Sequence, residues 1–156
     1  MNEERKPKRV YYHTPHTSCL TYFEIRGEFD PDRATEMLRL APERIRRIGD
    51  RRPGGKVQET ALWRYGSCIE YEHDAAKQMQ MTIAALVPKA DLLRKIRLTN
   101  RVSMTLRVVP MVRYDEPPPD LAPSMQVMRF CLETGTELKI DLYVSCPDDF
   151  TENKNR

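Results

Sequence analysis

The chain has 156 residues, which is enough for one domain with a hydrophobic core and too few for two domains of ordinary size. Its 26 Lys and Arg residues against 23 Asp and Glu residues leave a net charge of only +3, which excludes the strong overall field typical of polyanion-binding proteins. No apolar run approaches the ~18 residues of a membrane span, and no apolar region of a signal peptide follows the basic start of the chain.

These features predict a cytoplasmic protein with reduced cysteines and no membrane association. We expect one domain over residues 17–146. It lies between a flexible polar leader over residues 1–16 and a frayed acidic tail over residues 147–156.

The first third of the chain predicts a strand, a helix and a loop. Alternating apolar side chains predict a strand over about residues 18–26, ended by Gly27. Asp30 followed by Pro31 is typical of a helix start. The arginines and glycines of residues 43–59 then predict a mobile basic loop.

The middle of the chain predicts two strands around a broken helix. Residues 62–65 favour a short strand, and apolar residues at helical spacing predict an amphipathic helix over about residues 72–87. Pro88 interrupts that helix, because proline lacks the N–H group that a continuous helix needs. Strict alternation over residues 102–109 predicts the clearest strand, and a stiff proline-rich loop follows at residues 113–120.

The last elements are a helix that Ser124 caps and Gly135 ends, and a final strand. We expect the helix to face the core with Met125, Met128 and Leu132, with Val127 and Cys131 beside them. We expect the strand to face the core with Leu138, Ile140, Leu142 and Val144. The order β-α-β-α-α-β-α-β predicts an α+β fold with a roughly four-stranded, mainly antiparallel sheet and helices packed on one face.

Several segments together carry a resemblance to a known family. They are Tyr22-Phe23-Glu24-Ile25-Arg26-Gly27, Phe29-Asp30-Pro31, Pro42, Ile48-Gly49-Asp50, Trp63, Leu86-Val87-Pro88-Lys89, Gly135 and Ile140-Asp141-Leu142-Tyr143. In these segments the chain resembles the bacterial domain-of-unknown-function family 4279, over about residues 18–145. The resemblance implies a bacterial, cytoplasmic, single-domain protein and assigns no catalytic residue.

The residues that could carry chemistry do not form a recognisable catalytic or metal motif. The most metal-like set is His13, His16, Cys19, Cys68 and His73, whose spacing lacks the two close pairs of a structural zinc site. Asp50 and Val57 occupy the positions where a phosphate loop needs glycine and a hydroxyl residue. We therefore predict no metal, no cofactor and no catalytic residue.

Strand parity indicates where a partner could bind. If Phe23, Ile25 and Leu106 face the helices, the opposite face of the sheet carries a polar set of mixed charge. That set is Tyr22, Glu24, Arg26, Thr105, Arg107, Lys139, Asp141 and Tyr143. The alternative is a solvated face with cross-strand ion pairs. A second candidate for binding is the basic loop, through Arg47, Arg51, Arg52 and Lys56.

Two functional hypotheses follow from this sequence. The first is a non-enzymatic module that binds another macromolecule, analogous in size and organisation to bacterial accessory or immunity proteins. A protein partner is favoured over nucleic acid, because the basic loop has no aromatic residue for base stacking. The alternative is a small-ligand-binding or catalytic domain with its site on the open face of the sheet. The sequence does not indicate an oligomeric state.

Overall fold

A long central strand, β1 (Ser18–Glu28), organises the fold in the computed structural model, which describes residues 16–71 and 73–145. β1 pairs antiparallel with β3 (Ala61–Cys68) on one side and with β4 (Arg101–Val112) on the other. β1 does not end at Gly27 as predicted, because the backbone continues its pairing with β4 as far as Glu28.

Three short strands complete the sheet. β2 (Arg44–Arg46) pairs antiparallel with β3 at one edge, and β5 (Glu137–Ile140) and β6 (Tyr143–Val144) both pair parallel with β4 at the other. The described residues therefore form a six-stranded, mostly antiparallel sheet with the order β2-β3-β1-β4-β5, in which β6 also borders β4. The predicted α+β class is confirmed, and the predicted strand count is too low.

The helices pack on one face of this sheet, as predicted. α1 (Pro31–Leu38) contacts β3, α2 (Ala75–Ile83) contacts β1, β3 and β4, and α3 (Ala90–Thr99) contacts β4. α4 (Met125–Thr134) packs on α2 and α3. A 3₁₀ turn, Val87–Lys89, separates α2 from α3 where the proline predicted an interruption. No helix in the described part of the chain is long and apolar enough to cross a membrane.

The core lies between the helices and the odd-numbered face of β1. Phe23 packs edge-to-face against Trp63 and Phe130, with ring centroids 6.5 and 6.1 Å apart. The indole Nε1 of Trp63 donates a hydrogen bond to Thr35 Oγ1 at 3.0 Å, which ties α1 to the same face of the sheet. Leu106 lies opposite Phe23 in β4 and is fully buried. The other face of the sheet carries no helix within the described residues.

The prediction for the inner face of α4 is right for Val127 and Cys131, which contact the core, and wrong for Met125, Met128 and Leu132. Met125 and Leu132 are 72% and 85% exposed, and Phe130 and Thr134 are buried beside Val127 instead. Two stripes at helical spacing run along α4, and spacing alone cannot decide which one packs inward. The inner stripe accommodates Thr134 because its hydroxyl donates to the carbonyl of Phe130 at 2.7 Å. The predicted caps at Ser124 and Gly135 are both present.

The prediction of one continuous final strand is also wrong. The chain leaves the sheet at Asp141 and Leu142, between β5 and β6. Leu138 packs against the core, but Ile140, Leu142 and Val144 are each between 44% and 55% exposed. They lie at the sheet edge beside β4, where no further strand within the described residues covers them.

The basic segment 43–59 contains regular structure where a mobile loop was predicted. Its first part forms β2, whose Ile45 packs against the core beside Trp63. The remainder folds back on itself through two backbone hydrogen bonds. The N–H of Gly49 donates to the carbonyl of Gln58 at 2.9 Å, and the N–H of Gln58 donates to the carbonyl of Asp50 at 2.8 Å. The high arginine content correctly predicts that most residues of this segment are exposed, but it gives no information on this backbone pairing.

Gln78 is an unsatisfied polar group inside α2. Its side chain is fully buried, and neither atom of its amide has a hydrogen-bond partner among the described residues. We expect Gln78→Met to raise the free energy of unfolding by about 1 kcal/mol, because it removes the cost of a buried, unpaired amide at similar volume. Urea unfolding measures this change, with Gln80→Met on the same helix as control. A loss of stability in Gln78→Met would contradict the assignment.

Candidate functional site

The open face of the sheet, opposite the helices, is organised around Glu24. This side chain is only 3% exposed, and it lies in a row that crosses five strands. The row is Arg44, Arg64, Glu24, Thr105 and Glu137. Glu24 Oε1 accepts hydrogen bonds from Arg64 Nε at 3.1 Å and from Arg64 Nη2 at 2.7 Å. A nearly buried carboxylate therefore fixes an arginine on a rigid strand.

Two more arginines approach the second oxygen of Glu24. Arg26 Nη2 and Arg107 Nε each lie 3.6 Å from Glu24 Oε2. Arg107 also forms an ion pair with Asp141. Burial opposes the charge of Arg107, but the hydrogen bond from Arg107 to Asp141 and the negative charge of Asp141 outweigh it and hold the pKa of Arg107 above its ordinary value. Glu24 is thus the shared counter-ion of three guanidinium groups, those of Arg26, Arg64 and Arg107.

The two tyrosines of the predicted surface are placed differently. The guanidinium of Arg64 lies 4.0 Å above the centre of the Tyr22 ring, so this ring is covered by a cation. Tyr143 lies opposite Met111, at the end of the face away from Glu24. Lys139 is beside Arg107 in the register, but its Nζ pairs with Glu137 at 3.1 Å. The structure therefore joins Tyr22, Glu24, Arg26, Arg107 and Asp141 into one cluster and leaves Lys139 and Tyr143 at its margin.

Sequence reasoning missed three arginines on this face. Arg64 was placed in a strand but not on a face, although the parity of β3 puts it opposite the buried Trp63. Arg44 and Arg46 were assigned to a loop, because a three-residue edge strand has too few residues for a detectable alternation. Strand parity could have placed Arg64 on this face, but no sequence signal places Arg44 and Arg46 there.

The predicted basic-loop residues do not act as one group. Arg47 is bound to Asp32 in α1, with Nε and Nη2 donating to the two carboxylate oxygens at 2.7 Å each. This hydrogen bonding lowers the pKa of Asp32 and raises that of Arg47. Arg51 and Arg52 line a cavity of about 390 Å³ with β2, and Lys56 lies with Arg52 beside a second cavity of about 560 Å³.

The described members of the metal-like set do not form a metal site. His13 lies outside the described residues, His73 is exposed, and Cys19 is fully buried in β1. Within residues 16–71 and 73–145, no three His, Cys, Asp or Glu side chains are grouped so that they could hold a metal ion.

The buried thiol of Cys19 should be chemically inert. Burial, and then the nearby Cys68, raise the pKa of Cys19 to about 11 from an ordinary value of 9.0. We expect iodoacetamide at pH 8 to leave Cys19 unmodified in the native protein and to modify it after unfolding. Peptide mass mapping measures both states.

The same shift has a consequence at alkaline pH. The unfolded chain loses the Cys19 proton near pH 9 and the native chain only near pH 11, so this group should lower stability progressively between those values. In Cys19→Ala, the part of the alkaline decline in unfolding free energy that this thiol causes should be missing. Rapid native alkylation of Cys19 at pH 8 would contradict the burial argument.

The comparisons with known proteins identify a family and nothing more specific. The family described as a domain of unknown function (DUF4279) matches residues 16–145, which include every strand and helix described above. No curated protein and no solved structure matches the chain.

Proposed function

The chain belongs to the family described as a domain of unknown function (DUF4279). That membership brings no activity with it, and from the sheet face we propose that the domain is a non-enzymatic module that binds an acidic segment of another protein. The proposal includes a bacterial, cytoplasmic setting and a role of the accessory or immunity type, in which binding is itself the function.

The observation that supports this proposal is the fixed surplus of positive charge on the open face. In the rows of the sheet that contain Tyr22, Glu24 and Arg26, with Asp141 beside them, six cationic side chains share the face with three carboxylates. The cations are Arg26, Arg44, Arg46, Arg64, Arg107 and Lys139, and the carboxylates are Glu24, Asp141 and Glu137. Because Glu24 already holds Arg26, Arg64 and Arg107 in place, these arginines would lose little side-chain freedom when a partner binds them. An acidic segment complements this charge.

A protein partner fits this face better than a nucleic acid. Single-stranded nucleic acids are bound by stacking their bases on open aromatic rings. The ring of Tyr22 is covered by Arg64, and three carboxylates on the face would repel a continuous phosphate backbone. Separate acidic side chains could instead be placed between these carboxylates.

Binding also fits this face better than catalysis. The carboxylate of Glu24 is shared among arginines on both oxygens, so it serves as their counter-ion. A cavity of about 340 Å³ lies between α1 and α3, and cavities of about 390 and 560 Å³ lie around residues 44–60. The cluster around Glu24 lines none of these three cavities. A partner surface can be flat, whereas a reacting small molecule needs convergent polar groups in a pocket.

The test combines partner capture with substitutions on the sheet face. Proteins retained by the immobilised domain are identified by mass spectrometry, and their affinities for purified variants are then measured by biolayer interferometry. We expect Arg26→Ala, Arg107→Ala and Tyr143→Ala each to weaken binding by more than about 1 kcal/mol, roughly fivefold, without loss of fold. Substitutions over residues 51–56 should mainly change the association rate and its salt dependence.

The matched control is Arg94→Ala, which removes an exposed arginine from α3 on the opposite side of the sheet. Its affinity should equal that of the unsubstituted domain. Full-strength binding by all three sheet-face variants would rule out this surface.

A further inference from the structure

A second cationic feature lies at the edge of the sheet, where β2 meets the folded segment that follows it. The cavity of about 390 Å³ at this edge is lined by Arg44, Arg46, Arg51 and Arg52 and by a single carboxylate, Asp50. Asp50 Oδ2 already accepts a hydrogen bond from the backbone N–H of Arg47 at 2.8 Å. The cavity therefore has a large excess of positive charge.

A buried side chain holds this cavity in shape. Gln58 is 1% exposed, its Nε2 donates to the carbonyl of Thr60 at 2.6 Å, and its Oε1 accepts from Arg52 Nε at 2.5 Å. The backbone N–H of Arg52 donates to the carbonyl of Lys56 at 2.8 Å. Arg52 is thus positioned by a neutral, buried amide, which leaves its charge uncompensated.

The arginines of β2 are also uncompensated. Within the part of the chain that the structure describes, the guanidinium groups of Arg44 and Arg46 have no carboxylate partner. The charge of Arg44, then burial, and then the charges of Arg52, Arg26 and Arg64 lower the pKa of Arg46. This repulsion costs folding free energy, and a bound anion would relieve it.

We propose that this cavity binds the dianion of a phosphate monoester through Arg44, Arg46 and Arg52. Arginine forks match the oxygens of phosphate in paired hydrogen bonds, and a dianion with three acceptor oxygens can engage several forks at once. One carboxylate would neutralise only one of these arginines. The recognition uses side chains and differs from a glycine-rich phosphate loop, which Asp50 and Val57 exclude in this segment.

The inference extends the proposed function, because a phosphorylated side chain in the acidic segment of the partner is one carrier of this group. A phosphorylated metabolite is the other carrier. The cavity adjoins the open face through the cross-strand pair of Arg44 and Arg64, so one peptide could reach both.

The test is a titration of the full chain with phenyl phosphate at low ionic strength, followed by NMR. Phenyl phosphate should bind at least about tenfold more tightly than acetate, and its affinity should fall below about pH 6, where the dianion gains a proton. Arg46→Gln and Arg52→Gln should each weaken phenyl phosphate about tenfold. The melting temperature of Arg46→Gln should not fall, because this substitution removes charge repulsion, so its loss of affinity cannot come from unfolding.

Arg47→Gln is the matched control, because Arg47 is adjacent in sequence but already paired with Asp32. Its affinity for phenyl phosphate should change by less than about twofold. Equal affinity for phenyl phosphate and acetate, or equal loss in Arg46→Gln and Arg47→Gln, would overturn the proposal.

Two further probes identify the carrier. Tighter binding of a phosphoserine-containing acidic peptide than of phenyl phosphate would support the site and assign the phosphate to a protein partner. Tighter binding of adenosine monophosphate would support the site and assign it to a metabolite. These titrations need no partner protein, so a failure here leaves the sheet-face proposal standing. Arg107→Ala, which tests that face, should leave phenyl phosphate binding unchanged.

Discussion

Replacing Leu106 by alanine is expected to lower the free energy of unfolding by about 2 to 5 kcal/mol. Leu106 is fully buried in β4 opposite Phe23, and the close-packed rings around Phe23 would fill only part of the space that its loss would leave. For a domain of this size, such a change removes a large share of the total stability. Urea unfolding followed by the fluorescence of Trp63, the only tryptophan, measures it directly.

Ile140→Ala is the matched comparison for this change. The side chain of Ile140 lies in the same row of the sheet as Val108 but is 44% exposed, so its truncation should cost less than half as much as that of Leu106. An equal loss of unfolding free energy in the two variants would contradict the exposure of Ile140 at the β5 edge of the sheet.

Gly27→Ala is expected to lower the free energy of unfolding by about 3 kcal/mol or more. Gly27 has φ of +147°, and an added Cβ would lie 2.2 Å from the carbonyl oxygen of Arg101 and 2.8 Å from the Cα of Val102. Both are backbone atoms of β4, so relief would require the two central strands to separate. Thermal unfolding followed by circular dichroism measures the effect.

Gly54→Ala isolates the contribution of the backbone conformation. Gly54 also has a positive φ, +91°, but no atom lies within 4 Å of an added Cβ. Its substitution should cost only the about 1 to 2 kcal/mol of a left-handed conformation. If Gly27→Ala lowered the free energy of unfolding no more than Gly54→Ala does, the close approach of β1 to β4 at Gly27 would be contradicted.

Sequence patterns predicted the central strands and the helix starts, where one-sided alternation or capping residues agree with the structure. β1, β4 and the start of α1 at Asp30 are such cases. The patterns failed where a tertiary contact decides the outcome. β2 forms because the backbone of Arg44–Arg46 pairs with β3, and α4 turns Phe130 and Thr134 inward because it packs on α2 and α3 with that side.

The candidate site follows the same division. Strand parity placed Tyr22, Glu24, Arg26 and Arg107 on one face, and the structure joins them with Asp141. Parity cannot report that Glu24 is nearly buried among three guanidinium groups, because that depends on the register of β3 against β1. It also cannot reveal the cavity at β2, which depends on backbone hydrogen bonds around Gln58.

The central claim, that the open face of the sheet binds acidic segments of proteins, is tested most directly by mapping a bound acidic peptide. A dodecapeptide of Asp and Glu is titrated into the 15N-labelled domain, and a peptide of Asn and Gln is the uncharged control. We expect the largest shifts at Tyr22, Glu24, Arg26 and Arg107, with salt-sensitive affinity. Shifts confined to the exposed stripe of Met125, Met128 and Leu132 on α4, or equal binding of both peptides, would contradict the claim.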